Sequence, residues 1–423
     1  MKTITPIARI DTRISVPGSK SLTQRALIAA ALADGVSTLI GPLASEDTDY
    51  TSAALRAMGV AIDNSEPDWR VHGNGGRIAT PAQPIFLGNN GTATRFLTSV
   101  AALGSGPFAI TGGPRMAERP IQPLMEALRG WGVRIESVNR TGCPPLAIEA
   151  AGIDGGQTLL PEGKSSQYLS SLLLVAPYAR HGARLDVAGE VLSKPYVTMT
   201  LAVMRAFGVA VEASPELNRF VIPQGCYRAQ DYRIEGDASS ASYFWAAAAV
   251  TGGLVTVDNV PEPSLQGDAV LVTMLERMGC RVDKTGAGIT VTGPAELTAI
   301  EVDMGDCPDV APTLAVVAAF ARGTTVINNI AHLRIKECDR LHVMATELAK
   351  LGVKTTERAD SLLIEGDPSR ASFHGATIDT HDDHRIAMCF AVAGLAIPGV
   401  VIADEGCVVK SFPDFWERFA RLG

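Results

Sequence analysis

Along the 423-residue chain, stretches almost free of charge open on a few small or polar residues and recur at a nearly constant interval. They read GSKSLTQRAL from Gly18, GTATRFLTSVAAL from Gly91, KSSQYLSSLLLVAP from Lys164, DASSASYFWAAAAV from Asp237, DVAPTLAVVAAFA from Asp309 and DHRIAMCFAVAGLA from Asp383. Their starts stand 73, 73, 73, 72 and 74 residues apart. A helix apolar on every side is a buried helix, so six buried helices are expected. A second, amphipathic pattern keeps the same beat. It closes apolar-x-x-apolar-Gly at Gly59, Gly132, Gly208, Gly279, Gly352 and Gly423. Glycine there suits the left-handed residue that commonly ends a helix, and β-type residues follow in VAI, VRI, VAV and CRV. Between the two helices lies a short strand and a polar turn, as in FAITGGPRMAERP.

Each unit therefore reads strand, buried helix, strand, turn, exposed helix, strand, and six such units make an α/β repeat protein. Three units form a compact domain of ordinary size. The expected division is a continuous domain over 16–232 and a discontinuous one over 1–15 and 233–423. The sixth unit stops at Gly423 without its last strand, which the opening segment TPIARI could supply. Two chain crossings, near Val16–Gly18 and Tyr232–Gly236, would act as a hinge. Helix starts pointing one way in each of two facing domains would aim several positive helix ends at one cleft, an arrangement suited to polyanions.

Composition narrows the class. A net charge of −8 argues against a general nucleic-acid surface, which is usually basic, so any cationic site is local. Seven cysteines without CxxC or Cys/His spacing argue against zinc and against a disulfide framework. They read as buried thiols of a reducing cytosol. The start MKTITPIARIDTR lacks the apolar core of a signal peptide, and runs such as Phe244–Val250 are too short to span a bilayer. A soluble cytoplasmic protein is expected.

The candidate chemistry lies at the helix starts and turns. VPGSKSLTQRAL lacks the upstream glycine of a P-loop, yet Lys20, Ser21 and Arg25 stand where a helix begins. The second start carries Asn89, Gly91, Thr92 and Arg95, and the third Ser165, Ser166 and Gln167. Turns add Arg115 and Arg119, then Ser193, Lys194 and Tyr196, then Lys336, Glu337 and Arg340; the last unit adds His384, Arg385 and Lys410. Capping alone explains Ser, Thr, Asn and Asp at such places. It does not explain cations, which the dipole disfavours at a helix N-terminus unless something negative lies among them. Asp309 and Glu337 are candidates for proton transfer, with Asp383 behind them and Asp237 weaker as a possible cap. From the residues alone, the chain is a hinge-closing enzyme for a polyanionic small molecule, with no metal implied. The bond it makes stays open.

PGSKSLTQRAL, LGNNGTATRFL, GGPRMAERPI, SSQYLSSLLL, LSKPY, EGDASSASYF, RIKECDRL and DDHRIAM resemble, in order and over essentially the whole chain, the motif series of the 5-enolpyruvylshikimate-3-phosphate synthase family. The resemblance implies a two-domain, inverted α/β barrel-like fold of six βαβαββ units. It also implies transfer of the enolpyruvyl group of phosphoenolpyruvate to the 5-hydroxyl of shikimate 3-phosphate, on the way to chorismate and aromatic amino acids. The chemistry is addition, then elimination, through a tetrahedral ketal phosphate, with no metal or cofactor, in a cytoplasmic monomer. Carried over residue by residue, Lys20, Ser21, Arg25, Ser165, Ser166, Gln167, Ser193, Tyr196, Asp309, His332 and Lys336 would hold shikimate 3-phosphate. Lys20, Asn89, Gly91, Thr92, Arg119, Gln167, Arg340, Arg385 and Lys410 would surround phosphoenolpyruvate. Asp309 would take the hydroxyl proton, and Glu337 or Lys20 would exchange the methylene proton. The sequence departs from the usual LGNAGTAMRPL at Asn90 and Phe96, which bears on affinity for the phosphoenolpyruvate competitor glyphosate, and carries His332 where Asn is usual. Two rivals remain. UDP-N-acetylglucosamine enolpyruvyl transferases carry a loop Cys in GGCAIGARP, where this chain has Pro114 in GGPRMAERP. A non-catalytic repeat scaffold would need capping ends, whereas this array is expected to close with a shared strand.

Overall fold

The computed structural model describes residues 1–162, 165–286 and 288–423. The chain divides into two compact units, one of Gly18–Ile234 and one of Met1–Pro17 with Glu235–Gly423. Among the described residues the first unit holds helices α1 (Lys20–Leu32), α2 (Glu46–Ala57), α3 (Gly91–Ala101), α4 (Gln122–Gly130), α5 (Ser166–Val175) and α6 (Lys194–Ala206). The second holds α7 (Ala238–Thr251), α8 (Leu271–Arg277), α9 (Ala311–Ala318), α10 (Arg340–Lys350), α11 (His384–Gly394) and α12 (Phe415–Phe419).

The charge-free runs are the odd-numbered helices. In α7, every residue from Ala238 to Val250 is buried, and α1, α3, α5, α9 and α11 are nearly as enclosed. Within the first unit α3 packs on α5 and α1; within the second α11 packs on α7 and α9. Each core is thus a bundle of its own apolar helices, and truncating a buried leucine such as Leu173 costs about 2–5 kcal/mol. The helix-ending glycines Gly59, Gly132, Gly208, Gly279 and Gly352 all have φ between 84° and 106°, a conformation that penalises a Cβ. Lys164, one of the six starts, lies outside the described residues.

The sheets repeat as the helices do. In the first unit, Asp34–Ile40, Ser105–Thr111 and Ala183–Val187 each pair with one parallel edge strand and lead into two antiparallel strands. Leu254–Val257 repeats that plan in the second unit, and Ala321–Asn328 does so with two short parallel strands, Leu297–Thr298 and Glu301–Asp303, along its edge. Among the described residues six separate sheets result, and none closes into a barrel. Two of them borrow their parallel edge from a distant part of the chain. Asp231–Arg233, after the third repeat, joins Asp34–Ile40 of the first, while Asp11–Ile14 joins Leu254–Val257 of the fourth.

The opening segment does add a strand to the sixth sheet, but not from TPIARI. Thr5–Ile10 of TPIARI is not a strand. Lys2–Thr3, just before it, pairs antiparallel with Val401–Ile402 of the three-stranded sixth sheet. Pro6 is the physical reason, because it donates no N–H to a ladder and restricts the residue before it. Likewise the strand expected at Val209–Val211 begins only at Glu212.

Candidate active site

In the first unit the helix starts gather cations. Ser19 caps α1, its Oγ accepting from the Leu22 N–H, and the next residue, Lys20, sends its Nζ to within 3.0 Å of Asp47 Oδ2. Asp47 lies in the acidic first turn of α2 and is 3% exposed. Its carbonyl accepts from Asn90 Nδ2 at 2.7 Å, and Asn90 Oδ1 caps α3 by accepting from the Ala93 N–H. The departure from the usual motif at Asn90 thus ties the start of α3 to the start of α2. Phe96, the other departure, is buried with the Arg25 guanidinium 5.3 Å from its ring centroid.

Gly91 opens α3 beneath two guanidinium groups. A Cβ there would come within 2.5 Å of Arg119 Nη2 and 2.6 Å of Arg95 Nη1, so glycine is required for their approach to the helix end. Arg119 Nη1 donates to the carbonyl and Oδ1 of Asn89, and Arg95 donates to the carbonyls of Gly91 and Pro120. Gln167, in the first turn of α5, donates to Thr92 Oγ1 at 3.0 Å. Ser165 is the N-cap residue of α5, and Ser193 that of α6, in the left-handed region at φ 55°. Arg115 instead pairs with Glu118 at the surface.

Arg25 is placed differently from its neighbours. Its side chain is buried, donating to Thr200 Oγ1, Ser170 Oγ and the carbonyls of Ser21 and Tyr196. Burial pulls its pKa down to about 10, against the attraction of Tyr196.

In the second unit the cations meet carboxylates. Asp309 stands in the short turn Pro308–Val310 ahead of α9, one-fifth exposed. Arg385 Nη2 is 2.8 Å from its Oδ2, and Arg340 Nη1 and Lys336 Nζ are 3.3 Å and 3.7 Å from its Oδ1. Burial alone would raise this carboxyl's pKa; Arg385, Lys336 and Arg340 overrule it and hold it far below the usual range, although Glu337 opposes them. The N-cap position of α9 is Val310, one residue past Asp309, whereas Asp237 caps α7, accepting from the Ser240 N–H.

Arg340, the first residue of α10, is the hub. Its Nη2 reaches Glu337 Oε2 at 2.8 Å and its Nε reaches Asp383 Oδ2 at 2.7 Å, with the side chain 2% exposed. Asp383 is wholly buried, caps α11 through the Arg385 N–H at 3.0 Å, and also accepts from the Cys338 thiol at 3.5 Å. Burial, then the neighbouring Asp383, pushes that thiol's pKa far up. His384 Nδ1 lies 3.7 Å from Asp383 Oδ1. His332 is buried, and its imidazole pKa is lowered to about 4 by burial and by Lys336, so it is neutral at physiological pH. Lys410 ends the turn Gly406–Lys410 with only 7% of its surface exposed.

Two residues of these groups escape a reading of the sequence. Asp47 is one of three acids in the first turn of α2, where a dipole effect explains them all. Asp268, in QGDAV, is 4% exposed and bonded by the Ser239 hydroxyl. Burial and the nearby Asp309 raise its pKa to about 6, with Arg385 and Ser239 opposing. Neither has a spacing signal that singles it out.

The chain matches the family described as EPSP synthase (3-phosphoshikimate 1-carboxyvinyltransferase) over residues 4–419. It belongs to that family. It is 45% identical to a 3-phosphoshikimate 1-carboxyvinyltransferase of Syntrophobacter fumaroxidans, over 100% of this chain and 99% of that protein. A protein of the same name from Trichormus variabilis is 42% identical over 98% and 96% of the two chains. A solved structure of EPSP synthase from Acinetobacter baumannii superimposes with a TM-score of 0.82 at 30% identity, covering 100% of this chain and 98% of that one. As an EPSP synthase family member the chain is a transferase. The activity is transfer of an enolpyruvyl group from phosphoenolpyruvate to shikimate 3-phosphate in aromatic biosynthesis. Among the described residues no helix is long and apolar enough to cross a membrane.

Proposed function

We propose that the residues assembled above divide this transfer as follows. Lys20, Asn89, Gly91, Thr92, Arg119, Gln167, Arg340, Arg385 and Lys410 take phosphoenolpyruvate. Lys20, Ser21, Arg25, Ser165, Ser166, Gln167, Ser193, Tyr196, His332 and Lys336 take shikimate 3-phosphate, with Asp309 at its 5-hydroxyl. In the addition step the 5-oxygen bonds to C2 of phosphoenolpyruvate, Asp309 takes the hydroxyl proton, and Glu337 or Lys20 protonates C3 to a methyl group. In the elimination step C3 returns that proton, the C2–O bond to phosphate breaks, and the methylene re-forms as phosphate leaves.

The observation that carries this reading is the shell of three cations around Asp309. So paired, Asp309 is a poor base. Substrate phosphate and carboxylate groups compete for Arg385, Arg340 and Lys336, and each cation they draw away raises the Asp309 pKa. The base is thereby released only when its substrates are present. His332, neutral at physiological pH, is available as a hydrogen-bond partner without adding charge. We also propose that the two compact units act as domains of three repeats each, in a cytoplasmic monomer; size-exclusion chromatography tests the monomer.

The direct test is phosphate release from phosphoenolpyruvate, expected with shikimate 3-phosphate and absent with UDP-N-acetylglucosamine. In the same assay Glu337→Gln should slow exchange of solvent deuterium into the methylene of phosphoenolpyruvate. Parent-like exchange in that variant would leave Lys20 as the proton carrier.

A further inference from the structure

Helix α10 grips one loop at two places. Its first residue, Arg340, holds Asp383. Seven residues on, which is about two turns and therefore on the same face, Glu347 holds the beginning of the same loop. Its Oε2 accepts from the Asp379 N–H at 3.1 Å, and its Oε1 lies 3.3 Å from His381 Nε2. Glu347 is a carboxylate only 1% exposed, and Lys350 Nζ, 2.8 Å away, supplies its counter-charge. Burying a charge is costly unless it is paired and bonded, so a glutamate here needs a reason beyond packing.

The loop between the two grips is strained. His381 and Asp382 are consecutive non-glycine residues in the left-handed region, with φ of 51° and 55°. Such residues persist only where their surroundings hold them. The Asp379 side chain accepts from the His381 N–H at 3.0 Å and the Thr380 carbonyl accepts from the Asp383 N–H at 2.9 Å, which fixes the turn internally. Beyond the turn stands Asp383, whose carboxylate sets both Arg340 and the α11 end carrying Arg385.

We infer that Glu347 is a positioning residue for the transfer: it keeps the His381–Asp382 turn in its strained form, and so fixes Asp383 and the two arginines that depend on it. The inference rests on the assignment of Arg340 and Arg385 to phosphoenolpyruvate. It follows that weakening the grip loosens one substrate and spares the other.

Steady-state kinetics of Glu347→Gln in the full chain tests this. The KM for phosphoenolpyruvate should rise about ten-fold, the scale of couplings carried through neighbouring side chains. The KM for shikimate 3-phosphate should stay within about two-fold of the parent. Asp382→Gly in the same background removes the cost of the left-handed turn and should return most of the lost phosphoenolpyruvate affinity. Rescue by a glycine three residues past the Asp379 grip is not expected of a residue that merely stabilises the fold. If Glu347→Gln does not fold, His381→Phe removes the loop's half of the grip and should raise the same KM by about two- to three-fold. A parent-like phosphoenolpyruvate KM, equal rises for both substrates, or no rescue by glycine overturns the inference. Arg385→Ala, measured alongside, separates the causes. If it raises the phosphoenolpyruvate KM while Glu347→Gln does not, only the grip is wrong; if neither does, the assignment beneath it fails as well.

Discussion

Arg119 and Arg340 are both almost fully buried arginines assigned to the same substrate, but they are aimed in different ways. In the first unit the bonds described for Arg119 run to neutral oxygens, the carbonyl and side chain of Asn89. In the second, Arg340 is fixed by three carboxylates, Asp309, Glu337 and Asp383; burial lowers its pKa, but Asp383 and Glu337 overrule burial and hold it above the usual value. Neutral acceptors orient a cation without neutralising it. Carboxylates orient it and also spend its charge on the fold, since each buried anion then depends on it. The bonds described for Arg119 thus position it through neutral groups, whereas Arg340 and its three acids hold one another in place.

The largest expected effect tests the chemistry of the balanced group. Asp309→Asn keeps shape and hydrogen bonding but cannot accept a proton, so turnover should fall roughly 10²–10⁴-fold with substrate binding retained, measured as phosphate release and by calorimetry. Near-normal turnover would reduce Asp309 to a charge that merely holds Arg385 and Arg340. Next comes stability. Arg340→Leu leaves carboxylates buried without their partner and should cost about 3–5 kcal/mol in denaturant unfolding. A loss below about 1 kcal/mol, the scale of an exposed pair, would erase the distinction between the two arginines.

Arg119→Ala is the sharpening counterpart. A charge-assisted bond to a ligand contributes about 1.5–3 kcal/mol, so phosphoenolpyruvate usage should drop by about one to two orders of magnitude. Its thermal unfolding should shift far less than that of Arg340→Leu; an equal shift would place Arg119 among the fold-holding cations. The smallest effect concerns pH. The Asp268 carboxyl has a folded pKa of about 6 against an ordinary 3.8, so the folded state binds its proton more tightly than the unfolded state does. Stability must then fall as pH rises from about 4 through about 6, leaving a penalty at neutral pH. Asp268→Asn should remove that slope and stabilise the protein at pH 7 by about 1–3 kcal/mol, read by denaturation at pH 5 and pH 7. A less stable variant at pH 7 would mean that Arg385 needs the charge.

Much of this was legible along the chain. The six charge-free helices and the glycines that follow the amphipathic ones are local patterns; the helices, and five of the glycines in the left-handed conformation, appear at the positions their spacing predicts. The cations at helix starts were legible for a negative reason, since neither capping nor the dipole favours them there. Asp309 was less legible. As an acid ahead of an apolar helix it looks like a cap, and only its placement in a separate turn frees it for three cations. Asp47 and Glu347 were not legible at all, because acids in a first turn and on an amphipathic helix have ordinary surface explanations. The strand expected at TPIARI does not form because Pro6 brings no N–H to a ladder, and the pairing falls to Lys2–Thr3.

What the amino-acid order determined by itself is the repeat: burial of an apolar helix and closure at a glycine depend on residues within a few turns of one another. What only the tertiary structure decided is partnership. Lys20 finds Asp47 across 27 positions, Arg340 finds Asp383 across 43, and the edge strand Asp11–Ile14 finds Leu254–Val257 in the fourth repeat. The chain offers 45 acids and 37 lysines and arginines, and any exposed strand edge offers the same backbone groups. Ion pairs and strand pairs act over a few ångströms, so the choice among near-identical candidates falls to whichever ones folding brings together.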